Sequence, residues 1–233
     1  MSRPRRVRYS VGMLDNGASE DSPSADMRLS RATAQRLSLY LRSLDALAHS
    51  EATVSSRDLA KTVGVSAAQV RRDLAALGHL GLRGIGYEVG GLATAIRRTL
   101  GIDRPWKAVL VGVGNLARAL LRYRGFTEHG FEIVGLFDAD PAKIGQVVGT
   151  LRIEPLSQLK EQVPACRAEL GILTVPSEAA QSVATQMVQA GLRGVMNFAP
   201  VRLELPRGIQ VVTVDLAIQL EQLAFAVHLG DGD

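Results

Sequence analysis

Gly112, Gly114 and Ala117 stand at G-x-G-x-x-A spacing within VGVGNLARAL, residues 111–120. That pattern suits one chemical task, holding a pyrophosphate. The first glycine permits a tight turn. The second lets the backbone approach the phosphates with no Cβ in the way, and a small third residue lets a helix pack closely on its strand. A helix opening at this turn, which comprises Gly112, Val113, Gly114, Asn115, Leu116 and Ala117, aims its free N–H groups at the anion. The context agrees, because the apolar run AVLVGVG ends at the turn and the helical NLARALLRY begins in it.

A carboxylate follows 26 positions after Gly112, at Asp138, where the apolar segment FEIVGLFDAD ends. At a strand end beside the turn, a carboxylate accepts hydrogen bonds from ribose hydroxyls and repels a 2′-phosphate, so NADH or NAD+ is expected over the phosphorylated cofactors. Asp138 can also simply open the DADP turn. Two further strand exits would line the same crevice: Thr174, Val175 and Pro176 in LTVP, and Asn197, Phe198, Ala199 and Pro200 in NFAP.

Reaction chemistry would need more. A hydride-transferring enzyme normally keeps an acid or base within reach of its substrate. The four histidines, His49, His79, His129 and His228, lie in the N-terminal part, before the second strand of the cofactor domain and at the end of the last helix. Cys166 sits in an inter-element segment without a strongly basic flank. No Tyr-x-x-x-Lys pair occurs, and little chain remains after the last strand for a substrate domain. The cofactor is therefore expected to be a ligand and not a reagent. No catalytic residue and no metal are expected; a small NAD-dependent oxidoreductase is the alternative.

The elements that must position these residues fall into two rhythms. From Lys107 onward strands alternate with helices: AVLVGVG, FEIVGLFDAD, LGILTVP, GVMNFAP and IQVVTV are strands. Such alternation implies a Rossmann-like parallel sheet with helices on both faces. DLAIQLEQLAFAVHL reads as a terminal amphipathic helix with Leu216, Leu220, Leu223, Ala224 and Leu229 as its apolar positions. Before Lys107 the pattern is mostly helical. Leu37, Tyr40, Leu41, Leu44 and Ala48 share one helix face. Ser55 with Asp58 fits a capping box for a short helix to about Val63. Ser66 then caps a helix running to Leu77 and closed by Gly78, and GLRGIGYEVGGL reads as a short hairpin. GGLATAIRRTLG makes a connecting helix, and IDRPW a linker. The order is that of a winged helix-turn-helix.

Charge divides the same way. The 233 residues carry a net +4; residues 1–105 hold 16 basic and 10 acidic residues, and residues 106–233 hold 11 and 13. A basic module facing a polyanion, double-stranded DNA, is the reading. Its second helix would present Ala68, Gln69, Arg71 and Arg72 to the major groove, with Val70, Leu74 and Leu77 inward. Ser55, Ser56 and Lys61 would hold phosphates, and Arg83 beside Gly84 at the wing tip would enter a minor groove. Residues 1–27 read as a flexible tail. There is no run of about 18 apolar residues to cross a membrane, and a single cysteine fits a reducing cytoplasm.

In order and spacing, RLSLYLRSL, SSRDLA, QVRRDLAALGHLGLRGIGYEV, VGVGNLARALLRY, FDADPAKIG, LTVPSEAAQ, MNFAP and VDLAIQL resemble the Rex family of redox-sensing bacterial transcriptional repressors, from about Arg36 to Phe225. The resemblance implies an α/β chain of four parts: the tail, a winged helix domain over 28–103, a Rossmann domain over 104–214, and a helix over 215–233 swapped between the protomers of a homodimer. It implies operator DNA as partner and NADH or NAD+ as regulatory ligand, with NADH favouring release from DNA. It adds Lys143 and Ile144 to the cofactor site. It also makes Arg36, Tyr123 and Asp215 an interdomain network. Two positions depart from the family pattern: Ala117 replaces the third glycine, and Leu216 stands where some relatives carry an aromatic ring near the nicotinamide.

Overall fold

Ser30 starts the first helix, α1 (Arg31–Leu47), by accepting a hydrogen bond from the Thr33 N–H at 3.1 Å. The computed structural model describes residues 29–48, 52–78, 81–82 and 84–230, so the expected tail, His49, His79 and Arg83 lie outside the described residues. Leu37, Tyr40, Leu41 and Leu44 are buried along one stripe of α1, as their spacing predicts. Ala48 is not part of that stripe; it is the exposed cap after Leu47.

β1 (Thr53–Val54) leads into α2 (Ser56–Val63), a turn, and α3 (Ala67–Ala75). Ser55 and Ser66 cap the two helices, accepting from Asp58 N at 3.2 Å and Gln69 N at 3.1 Å. The Ser55–Asp58 pairing differs from a reciprocal capping box: the Ser55 hydroxyl itself donates to the Asp58 carboxylate at 2.6 Å. α3 stops at Ala75, short of the expected Leu77, because Leu77 and Gly78 bond back three residues in a tightened last turn. β2 (Gly81–Leu82) and β3 (Gly86–Glu88) form the hairpin, and β1 adds to the outer side of β3. The sequence reading missed β1, since two residues are too few to show a period of two. Glu88 then caps α4 (Val89–Leu100) through the Gly90 and Gly91 amides. One apolar cluster joins α1, α2, α3, β1 and α4.

The joint that follows is held by aromatic and ionic contacts. Trp106, the single tryptophan of the chain, donates its indole N–H to Gly101 O at 2.7 Å. Arg104 lies 4.1 Å above the Trp106 ring and pairs with Glu169 at 2.6 Å.

Beyond the joint, β4 (Trp106–Val111), β5 (Phe131–Asp138), β6 (Val147–Val148), β7 (Leu151–Pro155), β8 (Leu170–Leu173), β9 (Gly194–Asn197) and β10 (Gln210–Thr213) form a sheet in the order β10-β9-β8-β4-β5-β7-β6. All neighbours pair in parallel except β6 with β7. The parallel sheet was expected; the antiparallel edge hairpin was not, because QVVGTLRIEP carries no long apolar run. α5 (Asn115–Arg122) and α6 (Gly125–Glu128) lie against one face, through Ala117, Leu120 and Phe126. α7 (Leu159–Cys166) and α8 (Ser177–Gln189) cover the other with Leu159, Val163, Ala180, Ala184 and Met187. Cys166 is thus the last residue of a helix and not part of a connecting segment.

The first face is only half covered. Ala108, Ile133, Ile172, Met196 and Val212 line an apolar groove of about 390 Å³, bordered by Tyr123, Phe126 and His129. α9 (Leu216–Gly230) packs on none of it: Leu216 is 63% exposed and Leu220 66%. Its apolar residues are also not confined to one face. Ile218 and Phe225 are exposed on the side opposite the expected Leu216, Leu220 and Leu223, so the one-sided amphipathic reading is corrected. A helix apolar all round calls for cover on every side.

Candidate functional site: a cofactor crevice and a DNA-facing surface

The chain runs from β4 outward to β5 and β7, then returns to β8 on the other side of β4. The carboxyl ends of β4 and β8 therefore flank a topological switch point, where open α/β sheets bind ligands. The two ends are tied together: Thr174 N–H donates to Val111 O at 2.9 Å, and Thr174 Oγ1 to Gly112 O at 2.7 Å. Gly112, Gly114, Asp138, Lys143, Thr174, Val175 and Pro176 line one cavity of about 390 Å³ here. Val111, Ala139, Leu156, Ala179 and Val183 complete it. Sequence reading missed these five because each looks like an ordinary apolar strand, helix or turn position.

Gly112 has φ +94°. A Cβ there would lie 2.6 Å from Val175 Cγ1 and 2.8 Å from Thr174 O. Gly114 is different: it is extended, and a Cβ would meet nothing within 4 Å. The space before Gly114 is open, and α5 starts directly behind it with free N–H groups. Ala117 is fully buried against the sheet. A cradle of this form fits a diphosphate on both geometric and electrostatic grounds. Val113, Asn115 and Leu116 belong to the same turn and first helical turn, outside the cavity lining.

Asp138 ends β5, buried at 6% exposure. Its carboxylate accepts from Val113 N at 2.7 Å, Asp140 N at 2.9 Å and Lys143 Nζ at 3.0 Å. The turn-opening reading is seen in the bond from Asp140 N, and the same carboxylate also braces the glycine turn through Val113 N. Burial pushes its pKa up, but the hydrogen bonds from Asp140, Lys143 and Val113 outweigh it and hold the group below the ordinary carboxylate value. A depressed native pKa adds stability above the unfolded value of about 3.9, and that stability is lost as pH falls through the native value. Asp138→Asn is therefore expected to cost about 1–3 kcal/mol at pH 7. The gap to the unaltered protein should close in melts taken from about pH 5 down to pH 2. A constant gap across that range would refute the assignment.

The NFAP segment lies beyond the cavity. Asn197 is fully buried, donating to Val201 O at 2.9 Å and accepting from Ala199 N at 2.9 Å, so its amide shapes the turn. Phe198 packs on the α5 side of the sheet, and Pro200 is exposed. Ile144 is half-buried next to Lys143 and does not line the cavity.

On the N-terminal module, Ser55, Ser56, Arg71 and Gly84 share a cleft of about 380 Å³ with Leu82, Ile85 and Tyr87 of the wing. Arg71 Nη1 donates to Ser56 Oγ at 3.1 Å, which fixes the guanidinium at the α2 N-terminus. Ala68 and Arg72 are exposed on α3 as expected, and Gln69 is half-buried. Lys61 lies outside the cleft and pairs with Asp58 at 3.5 Å. Val70 and Leu74 face the core, while Leu77 is half-buried.

The residue most underrated by sequence reading is Asp73, a charged side chain only 3% exposed on the core side of α3. Arg36 clamps it bidentately at 2.6 and 2.7 Å, Tyr40 Oη donates at 2.9 Å, and Gln69 Nε2 at 2.8 Å. Burial pushes Asp73 up, but these donors outweigh it and its pKa is lowered. The Tyr40 phenol is pushed up to about 12, chiefly by burial and then by Asp73. Arg36 is thus engaged inside its own module. Tyr123 caps the C-terminus of α5, half-exposed, with its ring edge-on to Phe126 at 5.3 Å. Asp215 caps α9 through the Ala217 amide at 2.9 Å. Among the described residues, no group of three or more His, Cys, Asp and Glu could hold a metal ion, and no helix is long and apolar enough to cross a membrane.

Residues 103–201 match the family described as "CoA binding domain", and residues 28–75 the one described as "Putative DNA-binding protein N-terminus". The chain is similar to the redox-sensing transcriptional repressor Rex of Rhodopirellula baltica, at 47% identity over 92% of this chain and 90% of that protein. It is similar to the Rex of Desulforamulus reducens at 46% identity, over 87% of this chain and 97% of that one. Among solved structures it resembles RSP in complex with β-NAD+ and operator DNA, with a TM-score of 0.82 and 29% identity, over 88% of this chain and 95% of that one. RSP is described as a Rex-family repressor, and its complex with β-NADH matches at a TM-score of 0.79 and 28% identity, over 88% of this chain and 97% of that one. With a cofactor crevice, a winged helix and relatives of this closeness, the chain belongs to the Rex family of redox-sensing transcriptional repressors.

Proposed function

We propose that this protein is a repressor that binds operator DNA as a homodimer and leaves it when NADH binds. In this reading residues 28–103 hold the DNA, 104–214 the cofactor, and 215–233 the partner protomer. Such a protein acts in the cytoplasm, where DNA and NADH meet. The observation that carries the reading is the joining of an open glycine cradle at a switch point to a winged helix with Arg71 and Arg72 exposed on α3 and Arg71 bonded at the α2 N-terminus. RSP, a relative with the same architecture, is seen with NAD+ on operator DNA and also with NADH.

The residues proposed to hold the cofactor are Gly112 to Ala117, Asp138, Lys143, Ile144, Thr174 to Pro176 and Asn197 to Pro200. The cradle grips the phosphates and ribose common to NADH and NAD+, and equal affinity for two states shifts nothing. When bound, the nicotinamide supplies the redox difference, a flat cationic ring or a puckered neutral one. Response must arise where the crevice opens toward the NFAP segment. α9 of a partner protomer is proposed to cover the half-open sheet face, whose groove Tyr123 borders. Asp215, at the start of α9, then comes within reach of Tyr123 and Arg36, and their pairing reports which cofactor is held.

The reading is tested by fluorescence anisotropy on an AT-rich palindromic duplex, with NADH and NAD+ added separately. NADH is expected to weaken binding about 5–150-fold, the usual scale of allosteric coupling, and NAD+ to leave it nearly unchanged. Equal effects of the two cofactors would sink the reading. Tyr123→Phe should keep NADH affinity and lose most of the NADH-driven release.

A further inference from the structure

Asp73 stands at the centre of an unbroken chain of hydrogen bonds that ends on two DNA-facing side chains, Gln69 and Arg72. Arg36 of α1 clamps both oxygens of its carboxylate. Gln69 Nε2 donates to Oδ1, which Arg36 Nη2 also holds, at 2.8 Å, and Gln69 Oε1 accepts from Arg72 Nη1 at 3.0 Å. The chain runs from α1, through the buried carboxylate, to a guanidinium on the exposed face of α3. Each polar end of the Gln69 amide is held by one of its bonds, so Asp73 and Arg72 together fix the plane in which the remaining N–H and lone pair face outward.

α1, together with the end of α4, also faces the cofactor domain. Ser38, Leu41, Arg42 and Asp45 line a cavity of about 480 Å³ whose far wall is Thr127 to Phe131, at the start of β5. One side of α1 therefore looks toward the cofactor domain, and Arg36 and Tyr40 hold α3. A shift of α1 against α3 cannot leave Asp73 untouched, because a buried carboxylate that loses its cation is strongly destabilised. The structure holds the chain clamped; coupling requires a second, released arrangement.

We propose that Asp73 is a positioning residue that conveys the placement of α1 to Gln69 and Arg72, and so decides whether these two side chains are set for DNA. This rests on the reading of the protein as an NADH-responsive DNA-binding repressor. Asp73 touches neither cofactor nor DNA; it acts through Gln69.

The test reads the ratio of operator affinities without and with saturating NADH, in the full-length protein. Direct loss of a base contact changes both affinities and leaves the ratio alone, whereas a broken relay changes the ratio. Gln69→Leu, on the outer face of α3, severs Asp73 from Arg72 and is expected to bring the ratio to within about twofold of one, from the parent's roughly 5–150. Asp73→Asn should do the same. Tyr40→Phe removes one donor to Asp73 but leaves the bidentate Arg36 clamp and the Gln69 bond in place, and should keep the parent ratio. A parent-like ratio in Gln69→Leu overturns the proposal even if Asp73→Asn fails to fold. Equal loss in Tyr40→Phe overturns it too, since loosening Asp73 in general would then suffice. If the unaltered protein itself ignores NADH, the redox reading fails and takes the relay with it, a result separable from the others.

Discussion

Gly114→Val is expected to lower NADH affinity about 100-fold or more, close to 2.8 kcal/mol, while leaving the melting temperature within a few degrees of the parent. The argument is local. The backbone at Gly114 is extended, and a Cβ built there touches no protein atom within 4 Å. Valine therefore costs the fold little beyond a poor helix cap, roughly 1 kcal/mol. Its two methyl groups would fill the space the phosphates must enter, at the N-terminus of α5. Gly112→Ala is the contrast. Its φ of +94° and its approach to Thr174 and Val175 oblige the β4–β8 junction to move, so that variant should lose stability and binding together. Isothermal titration with NADH, paired with thermal melts, separates the two. Unchanged affinity in Gly114→Val would place the phosphates elsewhere.

The second large effect concerns α9. If the proposed homodimer forms through α9, Leu220→Asp with Leu223→Asp is expected to convert it into a monomer and to weaken operator binding about 10²–10⁴-fold, the loss that follows when two linked half-sites are bound one at a time. Leu220 and Leu223 are about two-thirds exposed in the single chain, so a charge there cannot disturb the core of its own protomer. The groove along Ala108, Ile172 and Met196 supplies a matching apolar surface. Sedimentation equilibrium gives the mass directly. A dimer that persists in the double variant would show that α9 is not the contact.

Much of this architecture could be read from the chain because it is periodic or locally signalled. The stripe of Leu37, Tyr40, Leu41 and Leu44, the caps Ser55 and Ser66, and the strand–turn–helix around Gly112 each depend on neighbours in sequence. What escaped depends on partners far away. β1 exists because Thr53 and Val54 meet Glu88 and Tyr87, not because two residues prefer to be extended. Asp73 looks like one more polar residue of an exposed helix until Arg36, 37 positions earlier, is placed beside it. The terminal helix shows the opposite failure. Its leucines suggested a single buried stripe, but Ile218 and Phe225 spread the apolar surface around the helix, a pattern that neighbours in the sequence do not explain.

The joint at Trp106 carries a consequence of its own. The chain's single indole bridges the end of α4 and the start of β4, with its N–H on Gly101 and Arg104 across its face. Any change in the angle between the two halves alters the polarity and hydrogen bonding that this chromophore feels. The protein therefore contains its own optical gauge of domain orientation. Its emission can be followed in unlabelled material and in real time, with no dye placed near either ligand.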